Sequence, residues 1–467
     1  MWRFFKDFFI YGFSSILGKI AAIFLIPIYT SILTKEEYGA MALIISCYGI
    51  IDIVANLNIH SGIARDYYEE GINREKLLST GFYSILCISI ITTIILYLFR
   101  APIFYHLLGL KEEFYNAFIV MLFTVPVTCL HTYFAILTRY KRKPILYSIG
   151  TLIFTVLSIG ITIGGVVYLR AGIISYFIAS FVSGLLSTLY FYFINKDYIK
   201  ILYSKDYIKK ALKFSLPTLP AILAGWIDNS LGQVLIGKHI SLSVLGVYSI
   251  AISISSVFTL ITTAFRNVWN PFLYENYKKD DFNNSIKNLF ILLSAFLIIT
   301  SVTLSLFSKE IIYLLTNPSY IDASKYITLL CIPMCFYMLF PFASSGVSIC
   351  RETKHIGVSY VLGSVLNLCV LFITIRFYGV IAVPVCLGLS RIFTYFYIYR
   401  RSQQKISYNL PNFILILFIF IQLICYALLN ANIYLRILFA ITTYFIIIAY
   451  ISKYIDVRNL LRSIRKK

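Results

Sequence analysis

Runs of about twenty apolar residues follow one another along almost the whole chain. One α-helix of about 20 such residues crosses the hydrocarbon core of a bilayer. Runs of this kind lie near 8–33, 39–61, 79–99, 115–138, 144–169, 172–195, 213–237, 241–265, 286–308, 325–349, 356–376, 378–399, 411–430 and 433–452. The sequence therefore predicts an all-α polytopic membrane protein with about fourteen transmembrane helices. Composition agrees. Apolar residues are 59% of the 467 and charged residues 13%, whereas a soluble domain is about 25% charged. That balance excludes a soluble enzyme, a disordered chain and a nucleic-acid-binding domain. The first run is too long for a signal-peptide core and reads as a retained first span.

The charge is one-sided. Lys and Arg number 41 against 20 Asp and Glu, a formal balance of +21. Thirty of the 41 fall in the N-terminus, 62–78, 139–143, 196–213, 266–287, 351–354, 400–405 and the C-terminal tail; only nine fall in the alternate connections. Basic residues collect on the cytoplasmic side, so both termini are expected there, and the excess needs no nucleic acid to explain it. The nine cysteines are scattered through apolar stretches without a C-x-x-C. Cys331 and Cys335, one helical turn apart, read as unpaired apolar filler. The stretch Gly232–His239 resembles a phosphate-binding loop but lacks its final Ser or Thr and runs through a membrane span. No cofactor or metal motif is present, and no catalytic residue is singled out. The sequon at Asn283 lies on the expected cytoplasmic side.

The chain repeats itself at an offset of about 207 residues. Gly39 corresponds to Gly246, Glu69 to Glu275, Leu98-Phe99 to Leu306-Phe307 and Val125-Pro126 to Ile332-Pro333. Six spans per unit is an even number, so the second copy enters the membrane in the same sense as the first, a parallel repeat. The expected organisation is a six-helix lobe over 1–195, a basic linker over 196–213, a second six-helix lobe over 214–400 and two extra spans with a basic tail over 401–467.

Polar residues inside spans face other helices or water. Span 1 carries Gly12, Ser15, Lys19 and Ala22 at helical spacing, span 2 Gly49, Asp52, Asn56 and His60. Span 7 carries Gly225, Asp228, Asn229, Gly232 and Gln233, span 8 Ser249, Ser253, Ser256 and Thr263. These are the first two spans of each repeat, so they are expected to line the space between lobes. A mid-membrane charge costs about 2.5–3.5 kcal/mol on insertion scales. Lys19 and Asp52 read either as a structural ion pair or as a substrate-binding cation with its counter-ion. Asp228 reads as a hydrogen-bonding or coupling acid. Arg391 reads as a substrate cation or a snorkelling residue, and Arg65 as a substrate cation or an interfacial anchor. His60 and His131 are weaker signals. Pro27, Pro126, Pro333, Pro341 and Pro384 fall within spans, where they provide bends.

Two stretches carry a family resemblance. One runs from Ile26-Pro27-Ile28-Tyr29-Thr30 through Glu37-Tyr38-Gly39 to Arg65-Asp66-Tyr67-Tyr68-Glu69. The other runs from Phe214-Ser215-Leu216-Pro217 through Gly246-Val247-Tyr248-Ser249 to Trp269-Asn270-Pro271-Phe272. The sequence resembles the bacterial O-antigen flippases (Wzx-type), in the superfamily that also holds lipid II flippases and multidrug and toxin extrusion transporters. It departs from the family at Gly232-Gln233, where an Asp-Arg pair is frequent; Asp228, one turn earlier, is the candidate replacement. The resemblance implies an inner-membrane protein that moves an undecaprenyl-pyrophosphate-linked oligosaccharide, for O-antigen or capsule, from the cytoplasmic to the outer leaflet. Independently of the resemblance, Lys19, Arg65 and Arg391 are the cations that can neutralise the phosphates of such a substrate; membrane lipids and the polysaccharide polymerase machinery are the expected partners. The alternatives are an ion-coupled multidrug exporter, whose cavity would be dominated by acids, and a membrane polymerase or glycosyltransferase, which needs a larger external loop.

Overall fold

The computed structural model describes Gly18, residues 23–141 and residues 143–454. Among these the chain is helical, with no strand. Only helices satisfy their own backbone groups segment by segment in lipid. Contacts divide the chain into two compact units, Met1–Ser249 and Ile250–Lys467. Among the described residues, twelve apolar helical stretches are long enough to cross a membrane. One of them, Lys354–Gln403, breaks at Gly379 (φ 58°) into two helices of 25 and 22 residues. With the short apolar helix Ile23–Ile32, the described part of span 1, the fourteen-helix architecture is complete: two parallel six-helix repeats followed by two C-terminal helices.

The first unit contains α1 (Ile23–Ile32), α2 (Lys35–Asn56), α3 (Ile59–Asp66), α4 (Arg74–Leu98), α5 (Tyr115–Tyr140), α6 (Pro144–Ile163), α7 (Ile174–Asn195), α8 (Lys205–Ser215), α9 (Leu219–Trp226), α10 (Gly232–His239) and the start of α11 (Leu242–Ser255). Thr34 and Glu37 form a reciprocal capping box that starts α2. The polarity of α4 is inverted relative to a soluble helix. Ser79, Thr80, Gly81, Ser84, Ser89 and Thr93 are buried, while Ile90, Ile91, Ile94, Ile95 and Leu98 are exposed. Small residues let backbones approach and apolar ones meet lipid tails. The Tyr133 hydroxyl donates to the Leu78 carbonyl at 2.6 Å, close beside Gly81. Ser187 donates to the Gly150 carbonyl at 2.8 Å, so it accepts from His131 Nε2, 3.0 Å away. His131 is thereby a satisfied packing residue between α5 and α7.

The repeat is visible in backbone detail. Helix α4 and α13 (Phe282–Leu306) each have 25 residues and stop at the matched pairs Leu98-Phe99 and Leu306-Phe307. The two phenylalanine C-caps adopt nearly the same conformation, φ −94°, ψ 15° and φ −102°, ψ 16°. The matched glycines also touch each other's helix. A Cβ on Gly39 would lie 1.8 Å from the Leu242 carbonyl oxygen, and one on Gly246 would lie 2.2 Å from that of Lys35. Lys35 and Leu242 are themselves 207 apart. The α2–α11 crossing is therefore locally two-fold, each helix offering the other the same surface.

The basic linker is docked rather than free. Lys200 N donates to Ser79 Oγ and Ser204 N to Thr80 Oγ1, at 2.8 and 3.0 Å. Helix α8 lies on α3 at Gly62, where a Cβ would stand 2.5 Å from the Ala211 carbonyl.

The second unit continues with α12 (Val257–Asn276), α13, α14 (Ser308–Leu315), α15 (Ala323–Ala343), α16 (Ser345–Ile349), α17 (Lys354–Tyr378), α18 (Ala382–Gln403), α19 (Phe413–Ala427) and α20 (Ile433–Tyr454). Its core gathers Trp269, Phe290, Phe336, Phe342 and Tyr395. The two C-terminal spans are fastened to it by polar contacts. Gln422 bonds Ser305 and Ser301 at 2.8 and 2.9 Å. Arg436, buried on α20, grips the Glu310 carboxylate with two nitrogens at 2.6 and 3.0 Å and reaches the Leu306 carbonyl. Arg436 is the buried member of this pair and Glu310 the part-exposed one, so removing the carboxylate strands a buried charge. Glu310→Ala is therefore expected to lower the thermal midpoint of the detergent-purified protein by several degrees, and Arg436→Met by less; scanning fluorimetry checks the order.

Two sequence expectations change in detail. Span 2 is not one helix: it breaks at Leu57 and Asn58, both left-handed (φ 48° and 53°). Span 8 does not end at 265, because α12 runs on to Asn276. Pro126 and Pro333 sit inside α5 and α15 without ending them. All nine cysteines are unpaired, and Gly232–His239 is helical, not a phosphate-binding loop.

Candidate functional site

Lys19 and Ser15 lie outside the described residues, so the Lys19–Asp52 pairing has no structural description. Asp52 itself is enclosed by α5. Its Oδ1 accepts from the Tyr48 hydroxyl at 3.4 Å and from Cys129 Sγ at 3.7 Å, and the Tyr48 hydroxyl is hydrogen-bonded to Thr128. One turn on, buried Asn56 meets His60 Nδ1 through its Oδ1 at 3.2 Å. The span-2 stripe therefore divides: Asp52 faces α5, whereas Gly49 faces Trp226, whose indole donates to the Ser46 carbonyl at 2.8 Å.

Span 7 is wound irregularly. Residues Ile227–Leu231 form a π turn between α9 and α10, and Asp228 sits in it, 7% exposed. π turns recur at functional positions because they shift side chains off the regular helical face. Asn229 is exposed and donates to the Gly225 carbonyl at 2.7 Å; Gln233 donates to the Asn229 carbonyl at 3.1 Å. The start of span 7 is tied to the break in span 2, as Asn58 Nδ2 donates to Thr218 Oγ1 at 2.9 Å. Asn tolerates the left-handed conformation, but Leu57 beside it is a strained exception. Hydropathy carries no trace of that break.

The basic end of the first unit stacks its cations on aromatic rings. Arg65, exposed at the end of α3, lies 5.1 Å from the Phe214 ring. Arg74 lies over Tyr67, Arg139 over Tyr147 and Lys141 over Tyr198, the last at 3.4 Å. Burial, with Lys143 nearby, pushes the Lys141 ammonium down to about 8. Burial also raises the Asp66 carboxyl, one oxygen of which has no hydrogen-bond partner.

The second unit holds the most concentrated cationic cluster inside a span region. Arg391 on α18 is 7% exposed and stands 4.9 Å from the Tyr337 ring and 5.7 Å from that of Tyr360. Arg266 on α12 stands 4.3 Å from the same Tyr337 ring and donates to its hydroxyl at 3.1 Å. Arg266 Nε is buried without a hydrogen-bond partner. Two guanidiniums thus share one tyrosine where charge is costly. A planar guanidinium presents paired donors that fit phosphate oxygens. Sequence reasoning placed Arg266 in a connection and missed it. The available signal was the spacing of Phe265, Trp269, Phe272 and Leu273, which continues an apolar helical face past the arginine. Ser253, on α11 in the same unit, is half-buried, and its carbonyl accepts from the Ser256 hydroxyl at 2.7 Å.

Fourteen spans in two parallel repeats, with buried cations inside them, define a multi-pass membrane protein. The chain belongs to the polysaccharide biosynthesis protein family, whose pattern matches residues 28–325. No curated protein sequence matches it. Its fold is similar to that of the lipid II flippase MurJ in an inward closed conformation, with TM-score 0.73 and 18% identity over 98% of this chain and 100% of that one. It is also similar to an inward-facing multidrug resistance MATE family transporter of the MOP superfamily, with TM-score 0.67 and 16% identity over 84% of this chain and 94% of that one. A MOP superfamily transporter from Pyrococcus furiosus, described by the reversed polarity of its binding pocket, gives TM-score 0.55 and 15% identity over 87% and 95% of the two chains. The comparisons thus fix the family and the fold.

Proposed function

We propose that this protein is a flippase that carries an undecaprenyl-pyrophosphate-linked oligosaccharide, an O-antigen or capsule repeat unit, from the cytoplasmic to the outer leaflet of the bacterial inner membrane. The observation that carries the reading is the pairing of Arg266 and Arg391 on Tyr337. A pyrophosphate offers several charge-bearing oxygens to two forked donors, and its attraction to them is strongest away from bulk water. A multidrug exporter of cations would need acids in that place. Family membership in polysaccharide biosynthesis supports a saccharide cargo.

In this account the lobes 1–195 and 214–400, joined by the linker 196–213, rock against each other to expose the cations to each leaflet in turn, with 401–467 as an attached pair of spans. Lys19 and Arg65 are the further phosphate ligands. Asp52 and Asp228 serve as counter-ion or coupling acids, and Ser15, Asn56, His60, Asn229, Gln233 and Ser253 line the path. Both termini are cytoplasmic, and the polymerase machinery receives the product. Depleting the protein from cells that make the glycan is expected to leave lipid-linked repeat units on the cytoplasmic leaflet, out of reach of an externally added glycan-modifying enzyme. Unchanged access to that enzyme would refute the reading.

A further inference from the structure

The end of the second unit where α13 gives way to α15, and α19 to α20, holds an open cavity of about 260 Å³ with Ile321 and Leu429 in its wall. Lys309, Asp322, Ser324, Lys325, Tyr426 and Asn430 line it. Lys325 is paired with Asp322 at 3.0 Å. Lys309 donates to Asn430 Oδ1 at 2.8 Å, a neutral partner. The adjacent carboxylate, Glu310, is already taken by both arms of Arg436. Two of the three cations are therefore balanced by carboxylates and the third is not. The cavity keeps one positive charge, two ammonium groups and the hydroxyls of Ser324 and Tyr426 as donors. Lys309 and Lys325 also belong to the nine cations on the poorly charged side of the chain, where the topological bias disfavours lysine.

We propose that this cavity binds the phosphate of an anionic lipid headgroup. It sits at the ends of spans, the depth at which headgroups lie. The phosphate has two available sources, an anionic phospholipid of the surrounding leaflet or the phosphate of a polyprenyl-linked lipid, and the recognising chemistry is the same. The site stands on its own charge balance, whatever the chain exports.

Native mass spectrometry of the full-length protein in non-ionic detergent tests this. The probes are short-chain phosphatidylglycerol, phosphatidylcholine of the same chain length and a short polyprenyl phosphate, each titrated against wild type and a Lys309→Gln, Lys325→Gln variant. A basic residue near a membrane surface contributes about 1 kcal/mol to anionic-lipid binding, so the variant is expected to lose about tenfold or more in affinity for the anionic probes. It should bind phosphatidylcholine as wild type does. A larger loss for phosphatidylglycerol assigns the site to the leaflet, and a larger loss for the polyprenyl phosphate assigns it to the cargo lipid. Asn430→Asp cancels the spare charge of Lys309 without changing size and is expected to reproduce the loss if the double variant folds poorly. Equal affinity of wild type and both variants for the anionic probes, or no preference of wild type over phosphatidylcholine, overturns the proposal.

Discussion

Gly39→Val is expected to prevent the α2–α11 crossing from forming. The first added atom alone would lie 1.8 Å from the Leu242 carbonyl oxygen and 2.7 Å from its carbon. A flexible side chain could swing aside, but a helix backbone cannot. Ordinary overpacking of a core costs about 1–3 kcal/mol, and here whole helices must part, so the cost lies at or above the top of that range. Because the crossing is locally two-fold, Gly246→Val should do comparable damage, its Cβ falling 2.2 Å from the Lys35 carbonyl. Gly160 is the control: nothing lies within 4 Å of a Cβ there, and its backbone is helical. Gly160→Ala should be neutral or stabilising, by up to about 1 kcal/mol. Thermal midpoints of the three purified variants would separate these outcomes, with the two valine variants either far below wild type or not recoverable as monodisperse protein. A Gly39→Val protein as stable as wild type would remove the close crossing from the account.

The second large effect is expected from removing the paired guanidiniums. Arg391→Met and Arg266→Met keep side-chain length and stacking area on Tyr337 while deleting the charge. A hydrogen bond to a charged group is worth about 1.5–3 kcal/mol, so each change should weaken binding of a pyrophosphate lipid by about 10-fold to 100-fold. Arg391→Lys separates charge from shape, since lysine keeps the charge but lacks the fork; it should recover part of the loss. Export in cells is expected to fall in the order wild type, Arg391→Lys, Arg391→Met, double variant. Thermal midpoints are read alongside, because Arg266→Met also removes the hydrogen bonds to Tyr337; a loss of export larger than the loss of stability accounts for assigns the cluster to the cargo. A double variant that exports normally would take the cluster out of the cargo path.

What the sequence revealed, and what it hid, follows from the range of each interaction. Helices in lipid are specified by local hydrophobicity, so the spans and the parallel repeat could be read directly; the offset that pairs Gly39 with Gly246 even anticipated two residues that meet at the same helix crossing. Ser15 and Lys19 could be named but lie outside the described residues. The break at Leu57-Asn58 could not be read from hydropathy, and the partner that Asn58 finds there, Thr218, is 160 positions away. The π turn around Asp228 is likewise a register shift of the backbone that residue types do not encode. Arg266 was hidden for a third reason. A hydropathy window ends a span at the first charge, whereas here Tyr337 and Tyr360 supply a polar niche that lets the helix carry the arginine inward. Asp52 shows the same limit. Its depth was evident from the sequence, but its partners Tyr48 and Cys129 were evident only in three dimensions.

The central claim is that buried cations of this chain carry a pyrophosphate-linked saccharide across the bilayer. Its most direct test is the purified protein in liposomes preloaded with a defined fluorescent polyprenyl-pyrophosphate oligosaccharide, with leaflet exposure followed by an added membrane-impermeant glycosidase. The account predicts protein-dependent transfer of lipid between leaflets, strongly reduced in the Arg266→Met, Arg391→Met variant. Transfer no faster than in empty liposomes, or equal transfer by wild type and that variant, would contradict it.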